Sequence, residues 1–188
     1  MAVFVVMLRG INVGGQKSIR MENLRASFEA VGYRNVGTYV QSGNVVFDSA
    51  SVSGDSLTTK IGEMILRDYG FPVALILRSA VEMAKVARGN PFLKERGIDP
   101  SKLHVTFLSD RPTKSSLEKM KRLNGAPDQY RIVEREVYLY CPGGYGRTRL
   151  SNNAIEKALS VEATTRNWNT VNALARMSSE TSVNSKSV

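Results

Sequence analysis

The order of the apolar runs constrains this chain more than any other feature. Val3–Leu8 is short and almost wholly apolar, the pattern of a central strand covered on both faces. Met21, Leu24, Phe28 and Val31 then fall at helical spacing, and Gly32 supplies the residue that ends such a helix. Two β-rich runs follow, "NVGTYVQ" and "NVVFD", separated by Ser42-Gly43 where a hairpin needs a positive φ. Leu57, Ile61, Met64 and Ile65 mark a second helix that closes near Gly70. "FPVALIL" at 71–77 reads as a fourth strand with its proline near the start. Four strands and two helices in the order β-α-β-β-α-β predict a ferredoxin-like subdomain.

The pattern then starts again. After a short helix near Val81–Ala87 and a break at "GNPF", the run "LHVTFLS" (103–109) predicts a strand, and Leu117, Met120 and Leu123 a helix. "YRIVE" and "EVYLYC" read as a hairpin, followed by helices around Asn153–Leu159 and Trp168–Ala175. The expected fold is therefore α+β, with two small α/β sandwich subdomains in tandem. The first spans 1–78 and is ferredoxin-like. The second spans 79–177 and follows β-α-β-β-α with an extra C-terminal helix. The serine-rich stretch 178–188 is expected to be a disordered tail.

A length of 188 residues suits one ordinary domain or two small ones. No apolar run approaches the roughly 20 residues of a membrane span, and the N-terminus lacks a basic region and a cleavage site. The single cysteine, Cys141, forms no internal disulfide and fits a reducing compartment. A soluble, cytoplasmic protein without membrane partners is the expectation. The formal charge is +9, and it is uneven: residues 1–100 carry 12 basic and 9 acidic side chains, residues 101–188 carry 14 and 8. A basic second half favours anionic partners.

The loops carry the polar chemistry. In "LRGINVGGQKS" (8–18), Gly10 and Gly15 have the glycine spacing of a phosphate-binding P-loop, but Gln16 stands where its lysine belongs, and Lys17-Ser18 come one residue late. What survives is an anion nest from the backbone of Gly14 and Gly15, with Arg9 and Lys17 adding charge and Asn12 a candidate contact in the same loop; the plain alternative is a conformational turn. The hairpin tip offers Gln41, Ser42 and Asn44. "PGGYGRTRLS" (142–151) bears Arg147 and Arg149, with Ser151 placed to cap the next helix. In "TTRNWNTV" (164–171), Thr165 is expected to cap a helix whose first turn holds Arg166, Asn167 and Asn169, which would make an anion site beside free N–H groups. These twelve residues are the candidate ligand contacts. One histidine, His104, and one cysteine argue against a dedicated zinc site, and no G-x-S-x-G is present. No metal and no catalytic residue is assigned, and no cofactor is identified.

"LRGINVGG" with a following "M-x-x-L", then "TYVQSGNVVFDS", "NPF", "LHVTFLS" and "TTRNWNTV", resemble in order an uncharacterised, mainly bacterial family classed as a domain of unknown function. The resemblance spans about Ala2 to Met177. It implies a two-subdomain α+β fold with a ferredoxin-like first part, and it brings no activity, cofactor or catalytic residue. The family loop often reads Lys-Asn after the double glycine, where this chain has Gln16-Lys17.

The residues together point to a protein that binds a small phosphorylated or carboxylated ligand in a cleft between its halves. Two other readings stay open. One is nucleic-acid binding along a basic second-half surface that includes Lys114, Lys119, Lys121, Arg122, Arg147 and Arg149. The other is a protein-interaction module without chemistry. No reaction follows from the sequence.

Overall fold

The computed structural model describes residues 1–51, 53–123 and 125–184. It divides into two compact units, Met1–Ala87 with the chain from Asn172 onward, and Arg88–Val171.

In the first unit, β1 (Ala2–Leu8) is followed by α1 (Met21–Ala30), β2 (Arg34–Tyr39), β3 (Asn44–Ser49), α2 (Gly54–Tyr69), β4 (Leu75–Ser79) and α3 (Ala80–Arg88). The strands form one antiparallel sheet in the order β2-β3-β1-β4, the arrangement of the ferredoxin-like fold. Each expected helix buries the predicted stripe: Met21, Leu24 and Phe28 from α1, and Leu57, Ile61, Met64 and Ile65 from α2. They pack on Phe4, Val6, Val45 and Phe47, so alternate residues of β1 and β3 face the helices. Phe28, Tyr33 and Phe47 form the aromatic centre, with ring centroids 4.6 to 5.6 Å apart. Gly70, in the left-handed region with φ 78°, ends α2 and donates to Leu66 O at 2.9 Å. The fourth strand begins at Leu75, four residues later than the apolar run suggested. Phe71 and Val73 remain apolar because they pack against the helix-side core without joining the ladder.

The second unit repeats the topology. β5 (Leu103–Leu108), α4 (Lys114–Lys121), β6 (Gln129–Val133), β7 (Glu136–Tyr140), α5 (Asn152–Leu159) and β8 (Ala163–Asn167) form an antiparallel sheet in the order β6-β7-β5-β8. Its core joins Leu108, Val137, Leu139 and Ala163 to Met120, Ile155 and Leu159 of the helices. Ser151 caps α5 as expected, its hydroxyl accepting from Ala154 N. "ATTRN" is strand where a helix start was expected. The segment pairs with β5, Val105 opposite Arg166 and Thr106 opposite Thr165, and the two β-branched threonines, Thr164 and Thr165, suit that ladder.

The last helix, α6 (Trp168–Asn184), starts after that strand. Its cap is Asn167, whose Oδ1 accepts from Thr170 N at 2.8 Å, and not Thr165. The helix passes through the segment expected to be disordered from 178, with Ser178 fully buried; residues 185–188 lie outside the described residues. The unit boundary falls inside this helix, between Val171 and Asn172, because its later turns pack on the first sheet. A Cβ on Gly37 of β2 would stand 3.2 Å from Met177 Cε. Among the described residues, no helix is long and apolar enough to cross a membrane.

Candidate functional site

Two of the polar loops meet at one rim of the first sheet. Leu8 N, at the end of β1, donates to Gly43 O in the β2–β3 tip at 2.8 Å, and Arg9 N donates to Ala74 O just ahead of β4 at 3.0 Å. Asn12 ties the rim together. Its side-chain amide donates to Gln41 O at 2.8 Å and to Ile19 O at 2.9 Å, while its Oδ1 accepts from Ile19 N at 2.8 Å. Asn44, fully buried, donates to Tyr39 O and Ser42 Oγ across the tip. Both asparagines are therefore brackets that hold the loops in place, with their hydrogen-bonding capacity spent inside the protein.

The double glycine makes a tight turn. Gly14 and Gly15 have φ 60° and 74°, and Gln16 N donates back to Val13 O at 3.2 Å, the geometry of a type I′ hairpin turn. Successive left-handed residues do not form the concave nest that the sequence suggested, which alternates right- and left-handed conformations. They do leave the turn at the exposed crest of the rim. Lys17 also lies in the left-handed region, φ 48°; its ammonium donates to Pro72 O at 2.9 Å and sits 5.9 Å from the Phe71 ring. That fixes its charge over the rim.

Val40 is the feature that sequence reasoning missed. Its φ is 50°, rare for a β-branched side chain, and the side chain is 51% exposed. A residue held there costs about 1–3 kcal/mol, and such strain collects at ligand clamps and active sites. Nothing in a valine before Gln-Ser-Gly signals it. Gly43 is required for a different reason. With φ 70°, a Cβ there would lie 2.6 Å from Ile11 Cδ1 and 2.8 Å from Leu8 Cβ.

The other candidate residues lie in the second unit. Arg166 belongs to β8 and is buried; its guanidinium donates to Thr164 Oγ1 at 2.6 Å and to Thr165 O at 3.0 Å. Burial pushes its pKa down to about 10. It is the residue before the α6 cap rather than part of the first helical turn, and as a strand residue it spends its guanidinium on Thr164 and Thr165 instead of presenting it at the helix start. Thr165, on the other face of the strand, joins a polar cluster. Its hydroxyl shares a 2.8 Å hydrogen bond with Thr106 and donates to Asn152 Oδ1 at 3.1 Å. Tyr145 stacks on His104, centroids 4.7 Å apart, and its hydroxyl accepts from Asn152 N at 2.9 Å. Burial lowers the His104 pKa, partly offset by a backbone hydrogen bond with Lys102, and burial raises that of Tyr145. Asn167 lies opposite His104 in the ladder, while Asn169 is exposed on the first turn of α6. Arg147 and Arg149 are exposed around the short 3-10 turn Tyr145–Arg147.

Residues 1–138 match the family described as a protein of unknown function, DUF1697. No curated protein matches the chain. Among solved structures, the fold is similar to that of a conserved bacterial protein from Streptococcus pneumoniae, with a TM-score of 0.72 and 21% identity over 94% of this chain and 98% of that one.

Proposed function

Because the chain belongs to the DUF1697 family of proteins of unknown function, its role has to be argued from its own chemistry, and we propose that it binds a small phosphorylated or carboxylated ligand on the rim of its first unit. The ligand's anionic group sits against the loop Arg9–Ser18 and the tip Val40–Gly43. Arg9 offers a guanidinium fork suited to a planar or tetrahedral oxyanion. Lys17, anchored through Pro72 O, keeps further N–H donors for the ligand. Gln41 and Ser42 supply neutral donors at the tip.

The observation that carries this reading is the strained backbone. Asn12, Lys17 and Val40 all have positive φ on one rim, in loops joined by hydrogen bonds between them. A plain tip between β2 and β3 needs no β-branched residue in that region, whereas a preorganised ligand clamp tolerates one. Two charge-assisted hydrogen bonds in a partly wet site suit inorganic phosphate with a Kd of about millimolar, and tighter binding for a ligand with more to grip.

Isothermal titration with inorganic phosphate, and with malonate as the carboxylate arm, tests the reading. Arg9→Gln removes one of the two charges at the rim and weakens binding about tenfold, the loss of one charge-assisted contact. Arg149→Gln, on the second unit, leaves binding unchanged. Equal losses in both variants would assign the effect to overall charge and remove the site.

A further inference from the structure

We propose that the groove between α4 and the edge strand β6 is a docking site for an extended acidic peptide, which joins the second sheet as an added strand. β6 stands at the margin of its sheet, with β7 on one side only. It is joined to β7 by the two-residue turn Glu134-Arg135, and Val133 pairs with Glu136. The closing pair of such a hairpin exchanges both ladder bonds, and bonded and non-bonded pairs then alternate. Tyr130 and Ile132 therefore turn their backbone N–H and C=O groups away from β7. The Arg131 guanidinium already donates to Tyr130 O at 3.0 Å, so an incoming strand would pair with the Ile132 N–H and C=O and the Tyr130 N–H, and would share Tyr130 O through its second lone pair.

The groove beside this edge has a volume of about 590 Å3. Leu117, Tyr130 and Ile132 line it as half-buried apolar side chains that also touch the core of the unit. The Tyr130 hydroxyl donates to Met120 O at 3.2 Å, which fixes the strand-to-helix spacing. Alternate side chains of an added strand would fall on this apolar strip, and the others would point away from it.

Charge selects the occupant. Lys114 and Lys121 of α4 bring their charge to the groove, with Glu118 as the acidic residue among the lining side chains; Arg131, next to Tyr130 in the strand, turns its guanidinium to the other face of the sheet, over the Phe92 ring at 5.0 Å. Glu118 pairs with Lys121 at 2.7 Å, and Arg131 reaches Glu95 at 3.3 Å. Among the described residues, no carboxylate pairs with Lys114, and Lys119 and Arg122 add exposed charge on the same helix and its end. A basic rim over an apolar strip, next to an open ladder edge, is complementary to an extended segment in which acidic and apolar residues alternate.

A labelled peptide alternating Glu with Val, titrated into the full-length protein by fluorescence anisotropy, is the probe. It is compared with the same peptide carrying Lys for Glu, with one carrying a central Pro, and with oligothymidylate. The Glu peptide binds, the Lys peptide does not, and the proline peptide binds about tenfold more weakly because it loses a ladder bond. Lys114→Glu weakens the Glu peptide several-fold without lowering the thermal midpoint, since a carboxylate suits the first turn of α4, and hydrogen exchange at the Tyr130 and Ile132 amides slows in the complex. Equal binding of the Lys peptide, indifference to proline, or no binding at millimolar peptide would overturn the proposal. Preferential binding of oligothymidylate would overturn it in favour of nucleic acid.

Discussion

Replacing Gly43 with alanine probes the rim at the point where its loops converge. At φ 70° an alanine pays the left-handed penalty of roughly 1–2 kcal/mol that any L-residue meets. Its Cβ would also approach Ile11 Cδ1 to 2.6 Å and Leu8 Cβ to 2.8 Å. Leu8 is held by its own hydrogen bond to Gly43 O and by the β1 ladder, so only Ile11 can yield; overpacking of this kind adds about 1–3 kcal/mol. Alanine restricts the unfolded chain and returns about 0.4–1 kcal/mol, which leaves a net loss of about 2–4 kcal/mol. Gly14→Ala is the matched control, with φ 60° and nothing within 4 Å of the new Cβ. Its left-handed cost and unfolded-state gain nearly cancel, for a net of about 0–1 kcal/mol. For a chain of this length a kilocalorie moves the midpoint by roughly 2–4 °C, so Gly43→Ala should lower it by on the order of 5–15 °C and Gly14→Ala by a few degrees at most. Urea and thermal unfolding followed by far-UV circular dichroism make the measurement. Equal losses in the two variants would refute the packing argument and leave only the conformational cost.

Two further outcomes follow from groups present once each in the chain. Burial holds the His104 pKa below its unfolded value of about 6.5, so the unfolded state takes up the proton first and stability falls as pH drops from about 6.5 toward the lower folded pKa; His104→Gln should flatten that part of the stability profile, and an NMR titration of the single imidazole reads its pKa directly. Burial raises the Cys141 thiol to about 11, so a thiol reagent at neutral pH should label it only at the rate at which the second unit opens, and labelling of the native protein as fast as of free cysteine would contradict its placement.

Much of the architecture was legible because strand and helix stripes have different periods. Leu57, Ile61, Met64 and Ile65 are buried as their spacing requires, and the β-α-β-β-α-β order of the first unit follows from it. "TTRN" misled because Thr, Asn and Arg serve helix caps and strands alike. Pairing with β5 decided the matter, and no local signal carries a pairing made with residues about sixty positions away. The tail misled for a related reason: serine-rich composition suggests disorder, but α6 gains burial on the first sheet, as at Met177 against Gly37, and tertiary packing outweighs propensity. At the rim, the glycines announced a turn and the spacing excluded a P-loop. The bracketing by Asn12 and the left-handed Val40 were hidden, since both depend on which loops meet in space.

The most direct test of the proposed rim site is a residue-resolved titration of the protein with inorganic phosphate, followed through backbone amide NMR shifts. Binding at the rim predicts saturable shifts confined to Gly14, Gly15, Gln41, Ser42 and their neighbours, with the midpoint moved to about tenfold higher phosphate in Arg9→Gln. Shifts that never saturate, or that spread over the basic second unit as strongly as over the rim, would contradict it.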